Sequence, residues 1–203
     1  MKITIIIPYK VDRGWLKDAI ASVPKSVQLL LGKGDGNWPQ NFNKMLPQAD
    51  GDLIKFLHED DMLTPNAIEM YIKAFSSPTF NDIDFAHGNA YELFMHSSRE
   101  PKLYIPKTKL PTLSNLLVKN TIHSASLIYR REVFDKIGGF NESPKVYSFE
   151  EYEFNLRCLQ GGCNIGYINV PLAYYRRHPK QIIRTCDVMA RKQNRAELLK
   201  QYA

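Results

Sequence analysis

The chain has 203 residues, of which 44% are hydrophobic and 24% charged, and a formal net charge of +6. That balance suits one α/β domain with an ordinary buried core and excludes a disordered chain or a fibrous repeat. The positive excess favours an anionic partner, whether a nucleotide, a phosphorylated acceptor, nucleic acid or an acidic membrane surface, and does not choose among them.

Residues 3–7 form a β-branched run closed by Pro8, which predicts a buried, central, parallel strand. The same run is too short for a signal-peptide core or a membrane span, so any membrane contact is expected to be peripheral. Trp15, Leu16, Ala19, Ile20 and Val23 recur at helical spacing. Residues 27–31 predict a second strand, followed by a loop over 32–37 rich in glycine, aspartate and asparagine, which tolerate positive φ. A short helix over 41–49, limited by Pro47, leads to a third strand over 53–57. Thr64 is expected to cap a helix that starts at Pro65 and buries Ala67, Ile68, Tyr71, Ile72 and Phe75.

Further along, strand pieces are predicted over 84–86 and 90–94, and the stretch up to Lys109 carries no clear pattern. A helix over 113–119, a strand over 126–129 and a helix from Arg131 follow, the last ended by Gly138 and Gly139. Another helix spans 149–160 and stops at Gly161 and Gly162. Closing strands over 165–170 and 172–175 precede a basic terminal helix over 187–202. Strands alternating with helices predict an α/β fold, a single domain over 1–203 with a mostly parallel central sheet flanked by helices. Cys158, Cys163 and Cys186 are odd in number and lack zinc-ligand spacing, which points to a reducing, cytoplasmic setting.

Ligands of open α/β sheets settle outside the carboxyl ends of the strands. Three groups meet that condition: Pro8, Tyr9 and Lys10; the 32–37 loop; and His58, Glu59, Asp60 and Asp61. Adjacent carboxylates repel one another unless a cation sits between them, and a hard divalent ion with phosphate oxygens would complete the set. An acidic triplet before a helix start is equally an ordinary turn. Glu150 and Glu151 open a helix, where the dipole favours ionised carboxylates, and an ionised carboxylate is also what a general base requires. Tyr175, Arg176, Arg177 and His178 add aromatic, cationic and imidazole groups suited to stacking, phosphate contact and metal ligation.

Taken in order, these segments resemble family-2 glycosyltransferases of the GT-A fold from Ile3 to about His178. Residues 3–9 are similar to the family's opening strand, 49–61 to the stretch ending in its metal-binding DXD element, and 123–142 to its acceptor-side strand and helix. Residues 149–157 are similar to the helix with its catalytic acid pair, and 175–178 to its closing motif. The resemblance divides the chain into a nucleotide-sugar and metal half over about 1–110, an acceptor half over about 111–180, and a C-terminal helix. It implies inverting transfer of a sugar from a nucleotide-sugar donor, a UDP-sugar first, to a glycan, lipid-linked or protein acceptor with Mn²⁺ or Mg²⁺.

Under the resemblance, Glu151 is the general base and Glu150 an acceptor contact. Asp61 is the principal metal ligand, assisted by Asp60 and His178. Pro8, Tyr9, Asp35, Lys44, Glu59, Asp60, Arg176 and Arg177 contact the donor. Three departures stand out. The family's Asp-Asp-Gly-Ser is replaced by the 32–36 loop, with Asp35 as the candidate base contact. His58 replaces the first aspartate of the DXD element, and Glu151 stands where an aspartate is usual. Alternatives are a nucleotidyltransferase or a nucleotide-sugar or glycan-binding protein with impaired catalysis. Nucleic-acid binding finds no recognisable motif.

Overall fold

The computed structural model describes residues 1–202. Strands β1 (Ile3–Tyr9), β2 (Gln28–Lys33) and β3 (Leu53–Phe56) form a parallel set with β1 in the middle. The β-branched run of β1 is buried on both faces, and period-2 alternation divides it. Ile6 enters one core cluster, while Ile5 and Ile7 enter the other. Helices α1 (Leu16–Ala21) and α3 (Ala67–Phe75) cover the Ile5 face, and α2 (Trp38–Met45) covers the Ile6 face.

The sheet continues through two-residue β4 (Met62–Leu63), β5 (Phe85–Phe94), β6 (Lys102–Tyr104), β7 (Ile128–Arg130) and β8 (Ile165–Arg177). Its order is β2-β1-β3-β7-β5-β8-β4, with β6 on β5. Strands β1, β2, β3, β5 and β8 run in one direction, and β4, β6 and β7 run against them, so the sheet is mostly parallel. Helices α4 (Leu113–Val118), α5 (Arg131–Ile137), α6 (Glu150–Gln160) and α8 (Val188–Tyr202) join α2 on the Ile6 face. The short α7 (Ile182–Thr185) precedes α8.

Two pairs of predicted strand pieces prove to be single long strands. Pro171, which split the second prediction, lies opposite Asn89 where the β5–β8 register shifts. A residue without an N–H is tolerated at such an irregularity. Thr64 does not cap α3: its hydroxyl donates to the Pro171 carbonyl, and the helix begins after Asn66. α2 starts earlier than predicted because Asn37 and Gln40 form a reciprocal capping box. Gly138, at φ 88°, ends α5 as predicted.

Candidate active site

In the β1–β3 ladder Ile6 lies opposite Phe56, so the two strands end close together and release their following residues at one mouth. A cavity of about 810 Å³ opens there. Pro8 and Tyr9 line it from β1, Asp35 and Trp38 from the next loop and helix, and His58, Glu59 and Asp60 from the segment after β3. Glu150 and Glu151 enter from α6, and Arg191 and Arg195 from α8. The loop after β2 is pinned by buried Asn41, whose Nδ2 donates to the carbonyls of Tyr9, Gly34 and Gly36. Lys10 Nζ donates to the Asp35 carbonyl at 2.7 Å.

The chain enters α6 through Ser148 at φ 67°, a non-glycine residue in the left-handed region. Such conformations cost energy and gather at functional sites. Beyond this turn, Glu150 and Glu151 wall the cavity. Glu153 is buried instead, pairing with Arg157 at 2.8 Å and accepting from the Tyr202 hydroxyl.

Two carboxylates of adjacent residues thus have different surroundings. Glu151 Oε1 meets His58 Nε2 at 2.7 Å. Burial opposes charge on that imidazole, yet the hydrogen bond and charge of Glu151, with Asp60 and Asp61 beyond, push its pKa up to about 9. His58 is therefore cationic at neutral pH and orients Glu151 through this contact. Glu150 has no such partner, and burial followed by the charge of Glu151 pushes its pKa up to about 7. Beneath them Lys55 is wholly buried in β3, donating to the carbonyls of Phe56 and Ala125 at 2.7 and 2.8 Å. Burial lowers its pKa to about 7 against the pull of Asp61 and Glu151.

The acidic triplet is also divided. Asp60 faces the cavity, and its Oδ2 lies 2.9 Å from Nε2 of His178, a buried side chain against which Trp15 packs at 4.1 Å between ring centroids. Glu59 leans towards Arg13, 3.6 Å away. Asp61, expected as the principal metal ligand, is wholly buried and absent from the cavity wall; its Oδ1 accepts the Arg176 backbone N–H at 3.1 Å. Burial, then the charge of Asp60, hold its carboxyl well above the usual range, and its Oδ2 has no hydrogen-bond partner.

Three more expected donor contacts lie elsewhere. Arg176 is buried and spends its guanidinium on Asp18 and the Asp60 carbonyl. Arg177 turns to Glu92 and lies over the Tyr175 ring. Lys44 is exposed on α2, away from the cavity. Pro8, Tyr9, Asp35, Glu59, Asp60, Glu150 and Glu151 do meet in one cavity, with His178 directly behind Asp60.

For a divalent cation, Asp60 offers an oxygen donor at the cavity wall, while His178 lies buried behind it with its Nε2 hydrogen-bonded to Asp60. Among the described residues no group of three or more His, Cys, Asp or Glu side chains is placed to hold an ion by itself. One or two protein ligands completed by substrate phosphates is the usual arrangement for Mg²⁺, and Asp60 at the wall suits such a shared site. Sequence reasoning missed the His58–Glu151 contact and the wall residues Trp38, Lys119, Arg191 and Arg195. Of these, only the arginines left a signal, the basic face of the last helix.

The model of the family "Glycosyl transferase family 2" matches residues 16–138. No curated protein matches the chain. Among solved structures, S. aureus TarS 1–349 in complex with UDP-GlcNAc is similar at TM-score 0.69 and 15% identity, over 93% of this chain and 62% of that one. TarS 1–349 in complex with UDP gives TM-score 0.64 and 15% identity, over 100% of this chain and 70% of that one. S. aureus TarS, of which 43% is covered, gives TM-score 0.64 at 16% identity. At such identities the likeness is one of fold, and this chain spans 62% of the first of those structures. The α/β sheet with its cavity at the strand ends, together with a family match over more than half of the residues, makes this chain a member of glycosyl transferase family 2.

Proposed function

We propose that this protein moves a sugar from a nucleoside-diphosphate sugar, a UDP-sugar in the first instance, onto an acceptor hydroxyl with inversion and with Mn²⁺ or Mg²⁺. The observation that carries this reading is a carboxylate, Glu151, oriented by His58 in the same cavity that Asp60, backed by His178, lines from another wall. The UDP-GlcNAc and UDP complexes of structurally similar TarS support the donor class.

In this reading Asp35, Pro8 and Tyr9 receive the nucleoside, and Asp60, backed by His178, would hold the cation. A divalent ion there supplies positive charge against the leaving group. His58 fixes one oxygen of Glu151, and the other takes the proton of the acceptor hydroxyl. The new bond forms at the anomeric carbon as the bond to the diphosphate breaks in line, so the products are the glycoside and a nucleoside diphosphate. Glu150, poised near neutrality, both donates to and accepts from acceptor hydroxyls.

The test is incubation with a panel of nucleotide sugars and candidate acceptors, with and without Mn²⁺, followed by product analysis. Metal-dependent release of nucleoside diphosphate with glycoside formation is expected. Pyrophosphate as product would establish a nucleotidyltransferase instead, and donor binding without turnover would establish a binding protein.

A further inference from the structure

The cations that line the cavity are unevenly committed. On the β1 side Lys10 is spent on the Asp35 carbonyl and Arg13 faces Glu59. On the opposite side Lys119, Arg191 and Arg195 line the cavity with no ion pair among the described residues.

The two arginines are one helical turn apart on α8 and project to the same face. Arg191 is held in place: its Nε donates to Ser148 Oγ at 3.0 Å and its guanidinium lies 4.6 Å over the Phe149 ring. Arg195 donates to the Val118 carbonyl at 3.3 Å. Both are half-buried, and with Lys192 they also wall an adjoining hollow of about 130 Å³. Carboxylates were near at hand, since Ser148 and Phe149 run directly into Glu150 and Glu151. Yet Glu151 is committed to His58, and neither glutamate forms an ion pair with these arginines. Pre-positioned guanidiniums with unspent donor edges suit the planar, two-point binding of a phosphate or carboxylate.

Resting on the glycosyl-transfer reading, we infer that the acceptor itself is anionic, and that Arg191 and Arg195, supported by Lys119, bind its phosphate or carboxylate while its hydroxyl is presented to Glu151. The shared chemistry is one oxyanion attached to a polyhydroxylated acceptor, placed on the α8 side of the cavity and apart from the donor diphosphate.

The experiment titrates UDP-loaded protein calorimetrically with a hexose, its 6-phosphate and the corresponding hexuronate, and titrates UDP itself separately. Expected is about 10- to 100-fold tighter binding of at least one charged ligand than of the neutral hexose, as one or two charge-assisted contacts would give. The 6-phosphate and hexuronate arms tell phosphate from carboxylate. Arg191→Gln with Arg195→Gln should erase the preference and leave UDP affinity within about twofold, with folding checked by circular dichroism. The Arg191→Lys, Arg195→Lys pair, which keeps charge and loses the fork, should keep part of it. Equal or absent binding of the charged ligands by protein that binds UDP overturns this inference alone. So does a parallel loss of UDP affinity in the glutamine pair, which would place the arginines on the donor. Wild-type protein that binds no UDP overturns the glycosyl-transfer reading, and this inference with it.

Discussion

His58 Nε2 and Glu151 Oε1 lie 2.7 Å apart although 93 positions separate them in the chain. The contact joins the end of β3 to the first turn of α6 and fixes Glu151 in orientation. Glu151→Gln keeps the shape and removes the proton acceptor, so sugar transfer should fall about 10²–10⁴-fold with donor affinity nearly unchanged. His58→Gln should lower transfer less than Glu151→Gln does, because a carboxylate remains. Steady-state transfer rates and UDP titration of both variants check this. Near wild-type transfer by Glu151→Gln alongside inactive Glu150→Gln would reverse the two roles.

Asp60 and Asp61 are neighbours with opposite surroundings, one at the cavity wall against His178 and the other sealed against the Arg176 backbone. Asp60→Asn should strongly weaken Mn²⁺-dependent donor binding while melting near the wild-type temperature. Asp61→Asn keeps the buried shape and should change stability by no more than about 1 kcal/mol. Asp61→Ala leaves the Arg176 N–H unpaired and should cost about 1–3 kcal/mol. Thermal melts and donor titrations with and without Mn²⁺ separate the residues; loss of metal-dependent binding in Asp61→Asn alone would restore Asp61 as the ligand.

Glu150 makes stability depend on pH in a definite direction. Its folded pKa of about 7 lies above the ordinary value of 4.5, so the fold favours the protonated form. The corresponding stability is fully present below about pH 4.5 and is lost as pH rises through about 7. Glu150→Gln removes the cost of ionising a buried carboxyl and should therefore melt higher than wild type at about pH 8.5, with the gain shrinking towards about pH 5. A variant-minus-wild-type difference that does not change with pH would show that Glu150 titrates normally.

Asp35 is exposed at the cavity, and its loop is held by Asn41 and Lys10 through backbone carbonyls, which leaves its carboxylate unused by the fold. Asp35→Ala should change the ratio of activities among UDP-, GDP- and dTDP-sugars at little cost in stability. Equal loss with every donor would count against a contact to the base.

The order of strands and helices was legible because apolar periodicity and terminal glycines are local signals: the β1 run, the α6 stop at Gly161 and the α5 stop at Gly138 all lie within a few residues of their predicted places. The site was legible as a set of strand-end positions and less so as individual roles. What buries Asp61 is its contact with the Arg176 backbone, 115 residues away, and nothing next to it in the chain reports that. Likewise the ion pairs of Arg176 with Asp18 and of Arg177 with Glu92 could not be read from the chain, because the partners belong to distant elements. Pro171 looked like a strand break because its neighbour Asn89, where the ladder absorbs it, comes from β5.

α8 is fastened mainly at its far end: Leu198 and Tyr202 are buried in the core, while Val188 and Met189 at its start are 66% and 65% exposed. The turns that carry Arg191 and Arg195 therefore contribute to the cavity while adding little to the packed interior. Arg191 and Arg195 belong to neither core cluster, so substitutions there should change what the cavity recognises more than they change the packed interior. The front of α8 is in this sense the evolvable margin of the molecule.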